Sequence, residues 1–369
     1  MTKYIYQNAQ WPNFHWNNEE VNALLLSVSH KQGRIVGRME NLGFKLREEA
    51  VLESHTINII KTSEIEGEIL NSEQVRSSVA RRLGMDISGL VPSDRHIDGV
   101  VEMMLDATQN FNKPLSKERL FAWHAVLFPN GRSGMYRIKS GQWRDDRKGP
   151  MQVISGGFGK EKVHFEAPTA NKIESEMQQF LDWFNSDHKI APILKASLAH
   201  FWFITIHPFE DGNGRIARTI ADMLLARSEA SSQRFYSMSA QIQRERNDYY
   251  DILEHSQKGK LDITDWINWF LNCLSRSLDA TDILLSKVLG KAKFWERFAN
   301  INFNERQTLI LNKLLDNFEG KLTSSKWAKL TKCSQDTALR DIQDLIDKNA
   351  LIKESAGGRS TSYVLDMRG

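Results

Sequence analysis

The sequence predicts a mostly α-helical fold interrupted by one small β region, and three observations carry that expectation. Apolar residues recur at helical spacing along most of the chain. Only eight prolines interrupt 369 residues. Seven glycines crowd between 131 and 159, with short β-prone pieces among them. Residues 19–48 ("VNALLLSV" within them) and 50–66 ("AVLESHTINIIKTSEIE") read as helices, the second ended by Gly67. Asn71 and Ser72 are the candidate caps of the next helix, with Glu73 and Gln74 in its first turn. A helical run at 92–109 precedes "FNKPLSKERLFAWHAVLF", in which Ser116 is the candidate cap. "MQVIS" and "KEKVHF", on either side of "GGFG", read as a hairpin with a glycine turn. Helices return at 170–186 and 192–206, then from Asn213 to Glu229, and again over 241–289. The last 65 residues hold three helical segments and then "IKESAGGRSTSYVL", two short strands about a Gly357-Gly358 turn, the pattern of a winged helix-turn-helix.

Composition excludes several classes of function. A net charge of +3 produces no global field toward nucleic acid or membrane. Hydrophobic residues at 41% fill real cores, and the length suits two or three domains. Cys273 and Cys333 stand 60 residues apart without metal-ligand spacing and read as reduced, buried thiols. The opening "MTKYIYQNAQWPNFHW" lacks the basic-then-apolar build of a signal peptide, and no apolar run approaches the ~18 residues of a membrane helix. The expectation is a cytoplasmic protein with no membrane partner.

"HPFEDGNGR", residues 207–215, is where chemistry concentrates. Gly212 and Gly214 let the backbone come close to a ligand, and the helix that begins there presents its amides to an anion. Arg215 and Arg218 lie three apart on that helix, two guanidinium forks suited to a polyphosphate. Asp211 can hold Mg²⁺ through one carboxylate, as is usual beside substrate phosphates. His207, with an ordinary pKa near ~6.5, can take a proton from an attacking hydroxyl. The set asks for a Mg-bound nucleotide and a hydroxyl nucleophile.

"HPFEDGNGRIAR", 207–218, resembles the signature of the Fic family, His-x-Phe-x-Asp/Glu-Gly-Asn-Gly-Arg with a second arginine three residues on, and every defining position matches. The resemblance implies a Fic-fold helical core and transfer of AMP from ATP to a Ser, Thr or Tyr hydroxyl of a target protein, its own included, with release of pyrophosphate. It assigns His207 as base, Phe209 as the loop's anchor, and Asp211 as the Mg²⁺ ligand. Gly212, Asn213 and Gly214 would hold the α-phosphate region, and Arg215 and Arg218 the outer phosphates. The hairpin near 151–165, with Val153, Ile154 and Ser155 on its first strand and Gly156 at the start of its turn, resembles the family's flap, which holds the target segment by strand addition. "RERNDYYDILEHSQKG" resembles the segment lining the base, placing Tyr249 and Tyr250 at the adenine end and Gln257 where relatives often carry asparagine. The alternatives kept open are AMP removal, transfer of another nucleotide or phosphate group, and a DNA-binding regulator with a nucleotide-sensing core.

"KTSEIEGE", 61–68, carries Thr62 and Glu66 on one helical face with Gly67 next, matching the family's inhibitory Ser/Thr-x-x-x-Glu-Gly/Asn. The resemblance implies that Glu66 pairs with Arg218 and competes with phosphate for it. In the tail, residues 304–369 hold 11 Lys/Arg and 9 Asp/Glu, net +2. The presumed recognition helix, with Arg340 and Lys348 against Asp336, Asp341, Asp344 and Asp347, is net negative, and Lys353 and Arg359 on the wing compensate thinly. Protein docking or dimerisation is therefore favoured over DNA binding there. A homodimer is what the family suggests. His96, His124 and His164 lack metal-ligand spacing, His200 reads as core, and Trp143, Trp183 and Trp202 read as packing residues. The expected organisation is an N-terminal helical region with the inhibitory motif (1–90), a catalytic core (91–290) and a winged-helix domain (300–369).

Overall fold

A computed structural model describes residues 3–40, 42–85, 90–147, 149–156, 159, 161–186, 189–315, 318, 320–354 and 361–366. The chain divides into two compact units, Met1–Thr281 and Asp282–Gly369. In the first, a short 3-10 turn at Ile5–Gln7 precedes α1 (Asn18–Glu40), α2 (Phe44–Ile65), α3 (Ser72–Arg82), α4 (Arg95–Gln109) and α5 (Lys117–Leu127). Two hairpins follow, β1 (Arg132–Ser133) with β2 (Tyr136–Arg137), and β3 (Gln152–Ser155) with β4 (Lys162–Glu166). Then come α6 (Ala170–Asn185), α7 (Pro192–Ile206), α8 (Asn213–Glu229), α9 (Met238–Arg244), α10 (Arg246–Gln257) and α11 (Thr264–Arg297). No helix among the described residues is long and apolar enough to cross a membrane.

The mostly helical expectation holds, and the local signals explain where helices begin. Asn71 and Ser116 cap α3 and α5 through side-chain oxygens that accept from Gln74 N and Arg119 N. Pro192 opens α7 at its first position, where its missing N–H costs nothing. Every residue of α7 from Ala196 to Ile206 is buried, as expected of a helix that is apolar on all sides. Against it packs α8, itself buried at nearly every position from Asn213 to Ala226. This central pair fixes both ends of the loop that joins them, so 207–212 is anchored to two buried helices.

The β3–β4 hairpin has the expected register, Gln152 opposite Glu166 and Ser155 opposite Lys162, with a bulge between Val153 and Ile154. Its inner face packs Phe165 and Val153 against Tyr4 and Tyr6. Part of its "GGFG" turn lies outside the described residues.

The second unit contains the end of α11, then α12 (Glu305–Leu315), α13 (Ser324–Thr331), α14 (Gln335–Asp347) and the antiparallel pair β5 (Leu351–Lys353) and β6 (Tyr363–Leu365). Its own core gathers Phe294, Phe298, Ile310, Leu311, Trp327, Ile342 and Leu345. Phe294 and Phe298 explain why α11 runs past the expected end near 289: the last turns carry apolar residues that this core buries. The Gly357-Gly358 turn and Arg359 lie outside the described residues. Counting charges along α14 misjudges its surface, because Asp341 is buried and bonded to Arg306 (2.7 Å), while Asp344 pairs with Lys348 (2.7 Å). Cys273 is buried as expected, whereas Cys333 is only half-buried; both are free thiols.

Candidate functional site

His207 ends α7 in the left-handed region (φ 54°, ψ 57°), a conformation that costs a non-glycine residue about 1–3 kcal/mol and is kept only where the surroundings enforce it. Here they do. The Arg144 guanidinium, almost fully buried, donates to the His207 carbonyl (2.8 Å) and the Pro168 carbonyl (2.5 Å), and pairs with Asp146 (2.7 Å). Arg144 N also donates to the Pro208 carbonyl (3.0 Å). Phe209 is fully buried and stacks on His124, with ring centroids 4.2 Å apart and planes within 9°. His124 Nδ1 accepts from Gly141 N (2.9 Å), so its Nε2 carries the proton and donates to the Asp211 carbonyl (3.2 Å). Burial lowers the His124 pKa to about 4.

Asn213 braces the loop from within. Its side-chain oxygen accepts from Phe209 N (3.0 Å) and its amide donates to the Phe209 carbonyl (2.8 Å). Both ends of the side chain therefore bond the Phe209 backbone and brace the loop. Gly212 takes a φ of 80° at the start of α8. A Cβ there would meet the Phe128 ring at 2.9 Å. The Asp211 carboxylate accepts from Ser133 Oγ and from Gly212 N (2.5 Å).

His207 Nδ1 lies 3.2 Å from the Ile204 carbonyl, which can only accept. Nδ1 therefore carries the proton of the neutral ring, and Nε2 keeps its lone pair. Burial lowers the pKa to about 4, with Arg144 adding to the shift, so the ring is neutral at physiological pH.

The two motif arginines are held by carboxylates of one short segment. Helix α2 stops at Glu66 because Gly67 turns left-handed (φ 82°), and Glu68 N closes back on the Ser63 carbonyl (3.0 Å). That turn sends both acids toward α8. Arg218, whose side chain is 2% exposed, donates from Nη2 to Glu66 (2.7 Å) and the Thr62 carbonyl (2.9 Å), and from Nε to Thr62 Oγ1 (2.8 Å). Arg215 donates from Nη1 to Glu68 (2.9 Å) and lies over the Phe128 ring. Glu68 also bonds to His96; this contact raises the His96 pKa, and it helps Arg215 lower that of Glu68 despite burial. A Cβ on Gly214 would collide with the Glu66 carboxylate and come within 3.2 Å of Arg218 Nη1. The protein's own carboxylate thus occupies the N-terminal end of α8, where an anion is favoured. Among the described residues, Arg215 Nε and Arg218 Nη1 are buried N–H groups without a hydrogen-bond partner.

One cleft of about 620 Å³ brings these parts together. Its lining includes Glu66, Val153–Ser155, His207, Asp211–Gly214, Tyr249, Tyr250 and Gln257. Tyr249 is buried, with its hydroxyl 2.9 Å from His200 Nε2, and Tyr250 donates to the Ile65 carbonyl (3.3 Å). Gln257 is buried against Thr205 (3.3 Å). Strand β3 keeps one edge unpaired among the described residues, with Ile154 and Ser155 exposed. Gly156 follows it in a left-handed conformation (φ 102°). Sequence reasoning missed Glu68, Arg144 and Ser133 altogether and set His96, His124 and His164 aside. The second acid of "EGE" was the one readable hint among them.

Residues 114–225 match the Fic/DOC family, and residues 4–85 match a domain of unknown function, DUF4172. The chain is 27% identical over 266 residues to the protein adenylyltransferase Fic of Drosophila yakuba, covering 69% of this chain and 47% of that protein. It spans about half the length, or less, of the curated relatives it matches. A Fic family protein from Desulfovibrio desulfuricans G20 shares the fold, with a TM-score of 0.51 at 20% identity over 94% of this chain and 97% of that one. A Fic-domain signalling protein from Bacteroides thetaiotaomicron VPI-5482 does so with a TM-score of 0.52 at 21% identity, over 69% and 95%. Loop, helix pair and fold agree with these matches: residues 114–225 carry a Fic/DOC family domain.

Proposed function

We propose that the protein transfers AMP from ATP to a Ser, Thr or Tyr hydroxyl of a protein target, and that Glu66 holds it inactive until displaced. One observation carries this reading. A carboxylate of the chain itself sits on the α8 N-terminus and on Arg218, beside two buried guanidinium N–H groups without partners. Such a place is built for a polyanion.

With Glu66 moved aside, Arg215 and Arg218 would receive the outer phosphates, and the main-chain amides of Gly212–Gly214 the α-phosphate. His207 Nε2 would take the proton of the attacking hydroxyl. Its low pKa keeps it unprotonated, and the charge of bound phosphates would raise its basicity toward the range useful at neutral pH. The unpaired β3 edge offers main-chain groups to an extended target segment. Asp211, a single carboxylate facing the cleft, would hold Mg²⁺. Mg²⁺ bound there would offset the charge gathering on the departing pyrophosphate.

The test compares ATP labelled at the α-phosphate with ATP labelled at the γ-phosphate, using the Glu66→Gly chain and candidate target proteins. Label retained on the target protein from the α position only, and lost with His207→Ala, is expected. Retention of the γ label would replace AMP transfer by phosphate transfer.

A further inference from the structure

The outward surface of the C-terminal unit differs from the one that a charge count along α14 describes. Helix α13 ends at Thr331 and α14 starts at Gln335, with Lys332–Ser334 between them. Lys332 turns left-handed (φ 52°), and Ser334 caps α14 by accepting from Thr337 N (3.2 Å). Two helices joined by so short a turn make a helix-turn-helix. Leu322, just before α13, accepts from Tyr363 N (3.0 Å), which ties the pair to the β5–β6 ribbon.

Ala338, Ile342 and Leu345 seat α14 on the unit's core, with buried Asp341 on the same side. At helical spacing the opposite side presents Asp336, Leu339, Arg340 and Gln343, all exposed. Asp341 accepts from Asn304 (2.9 Å) as well as from Arg306, and Asp344 accepts from Gln307 and Lys348 (2.7 Å each). Each of these two carboxylates is thus matched by a cation of its own unit. Trp327 seats α13 in the same core, while Lys326 and Lys329, one turn apart, are exposed with Lys332 just beyond. The two helices adjoin on the outside, where Gln335 Nε2 donates to Ser324 Oγ (3.1 Å). Their joint surface therefore carries Lys326, Lys329, Lys332 and Arg340 against Asp336 and Asp347. It is locally basic.

We propose that this surface binds duplex DNA, with the outward side of α14 in the major groove and the α13 lysines on the phosphates. The major groove, ~12 Å wide, admits an α-helix, and an arginine there reads guanine edges, the place Arg340 would take. Lys326, Lys329 and Lys332 would release counterions condensed on the backbone. A protein partner suits the surface less well. Leu339 is the one exposed large apolar side chain among the described residues of α13 and α14, whereas protein interfaces centre on clusters of apolar and aromatic anchors. The proposal does not depend on the AMP-transfer reading.

Fluorescence anisotropy of a labelled DNA duplex two helical turns long, titrated with the full chain, tests it. Binding is expected in the micromolar range at about 50 mM KCl and about fortyfold weaker at about 200 mM, the salt dependence of three phosphate contacts. Lys326→Gln/Lys329→Gln/Lys332→Gln, altered only at exposed positions, should flatten the slope of log K against log[KCl] by about 2.7. Arg340→Ala should weaken binding severalfold. Duplex RNA of the same sequence should compete at least about tenfold less well, because side chains cannot enter its deep, narrow major groove. No binding with about 100 μM chain at the lower salt overturns the proposal and leaves the surface to a protein partner. A slope unchanged in the triple variant overturns the lysine contacts. Equal competition by duplex RNA overturns the placement of α14 in the groove.

Discussion

Freeing the two motif arginines one at a time should loosen the site in two steps. Glu66 gives Arg218 one charge-assisted bond, at 2.7 Å, from a side chain 31% exposed. Bonds of that kind contribute about 1.5–3 kcal/mol, and partial exposure places this one near the lower figure. Glu66→Gly should therefore tighten ATP binding about tenfold, since ~1.4 kcal/mol is a factor of ten. Glu68 holds Arg215 at 2.9 Å with its side chain 34% exposed, and solvent screening reduces that contribution to about 1 kcal/mol. Glu68→Gln should tighten binding about fivefold. The acids hold different guanidinium groups, so Glu66→Gly/Glu68→Gln should gain roughly both, near fiftyfold. Isothermal titration calorimetry with Mg-ATP at fixed salt measures each step. A double variant no tighter than Glu66→Gly would show that Glu68 does not compete with phosphate. An unchanged affinity in Glu66→Gly would refute the occupied-anion-site argument as a whole.

Three further outcomes are expected. His207→Ala should lower the transfer rate about 10²–10⁴-fold with ATP affinity nearly unchanged, which single-turnover kinetics and calorimetry separate. Phe209→Ala empties a fully buried position between His124, Trp143 and Phe203 and should cost about 3–5 kcal/mol, seen as a lower urea midpoint. Acid should destabilise the fold early, because burial lowers His55 and His200 to about 3 and His124 to about 4. The unfolded chain binds these protons near pH ~6.5 while the native chain refuses them, so stability falls as pH drops from there toward the folded values. At pH 5 each group costs about 2 kcal/mol and the three together about 6, a large part of a typical domain's stability. A urea midpoint equal at pH 7 and pH 5 would contradict that burial.

Features set by neighbours along the chain were legible in the sequence. Asn71 and Ser116 were readable as caps, and α7 and α8 as helices meeting at a glycine loop, because these depend on contacts a few residues apart. The pairing of Glu66 with Arg218 spans 152 positions and was reachable only through the resemblance of two short motifs. The Glu68–Arg215 bond spans 147 positions, and Ser133 meets Asp211 across 78; no local period encodes either. Asn213 shows the limit within the motif itself. Its identity marks the loop, yet whether its amide faces a ligand or the Phe209 backbone is decided by how the loop closes.

By itself, then, the sequence determined the helices, the β3–β4 hairpin and the chemical character of residues 207–218, since local hydrogen bonding and side-chain type suffice for those. Tertiary structure alone decided which carboxylate meets which arginine, that Arg144 and His124 hold the loop, and that Ser155, His164 and Glu254 converge on the same cleft. The physical reason is that a buried charge or hydrogen-bonding group must find a partner, and packing chooses that partner from anywhere along the chain.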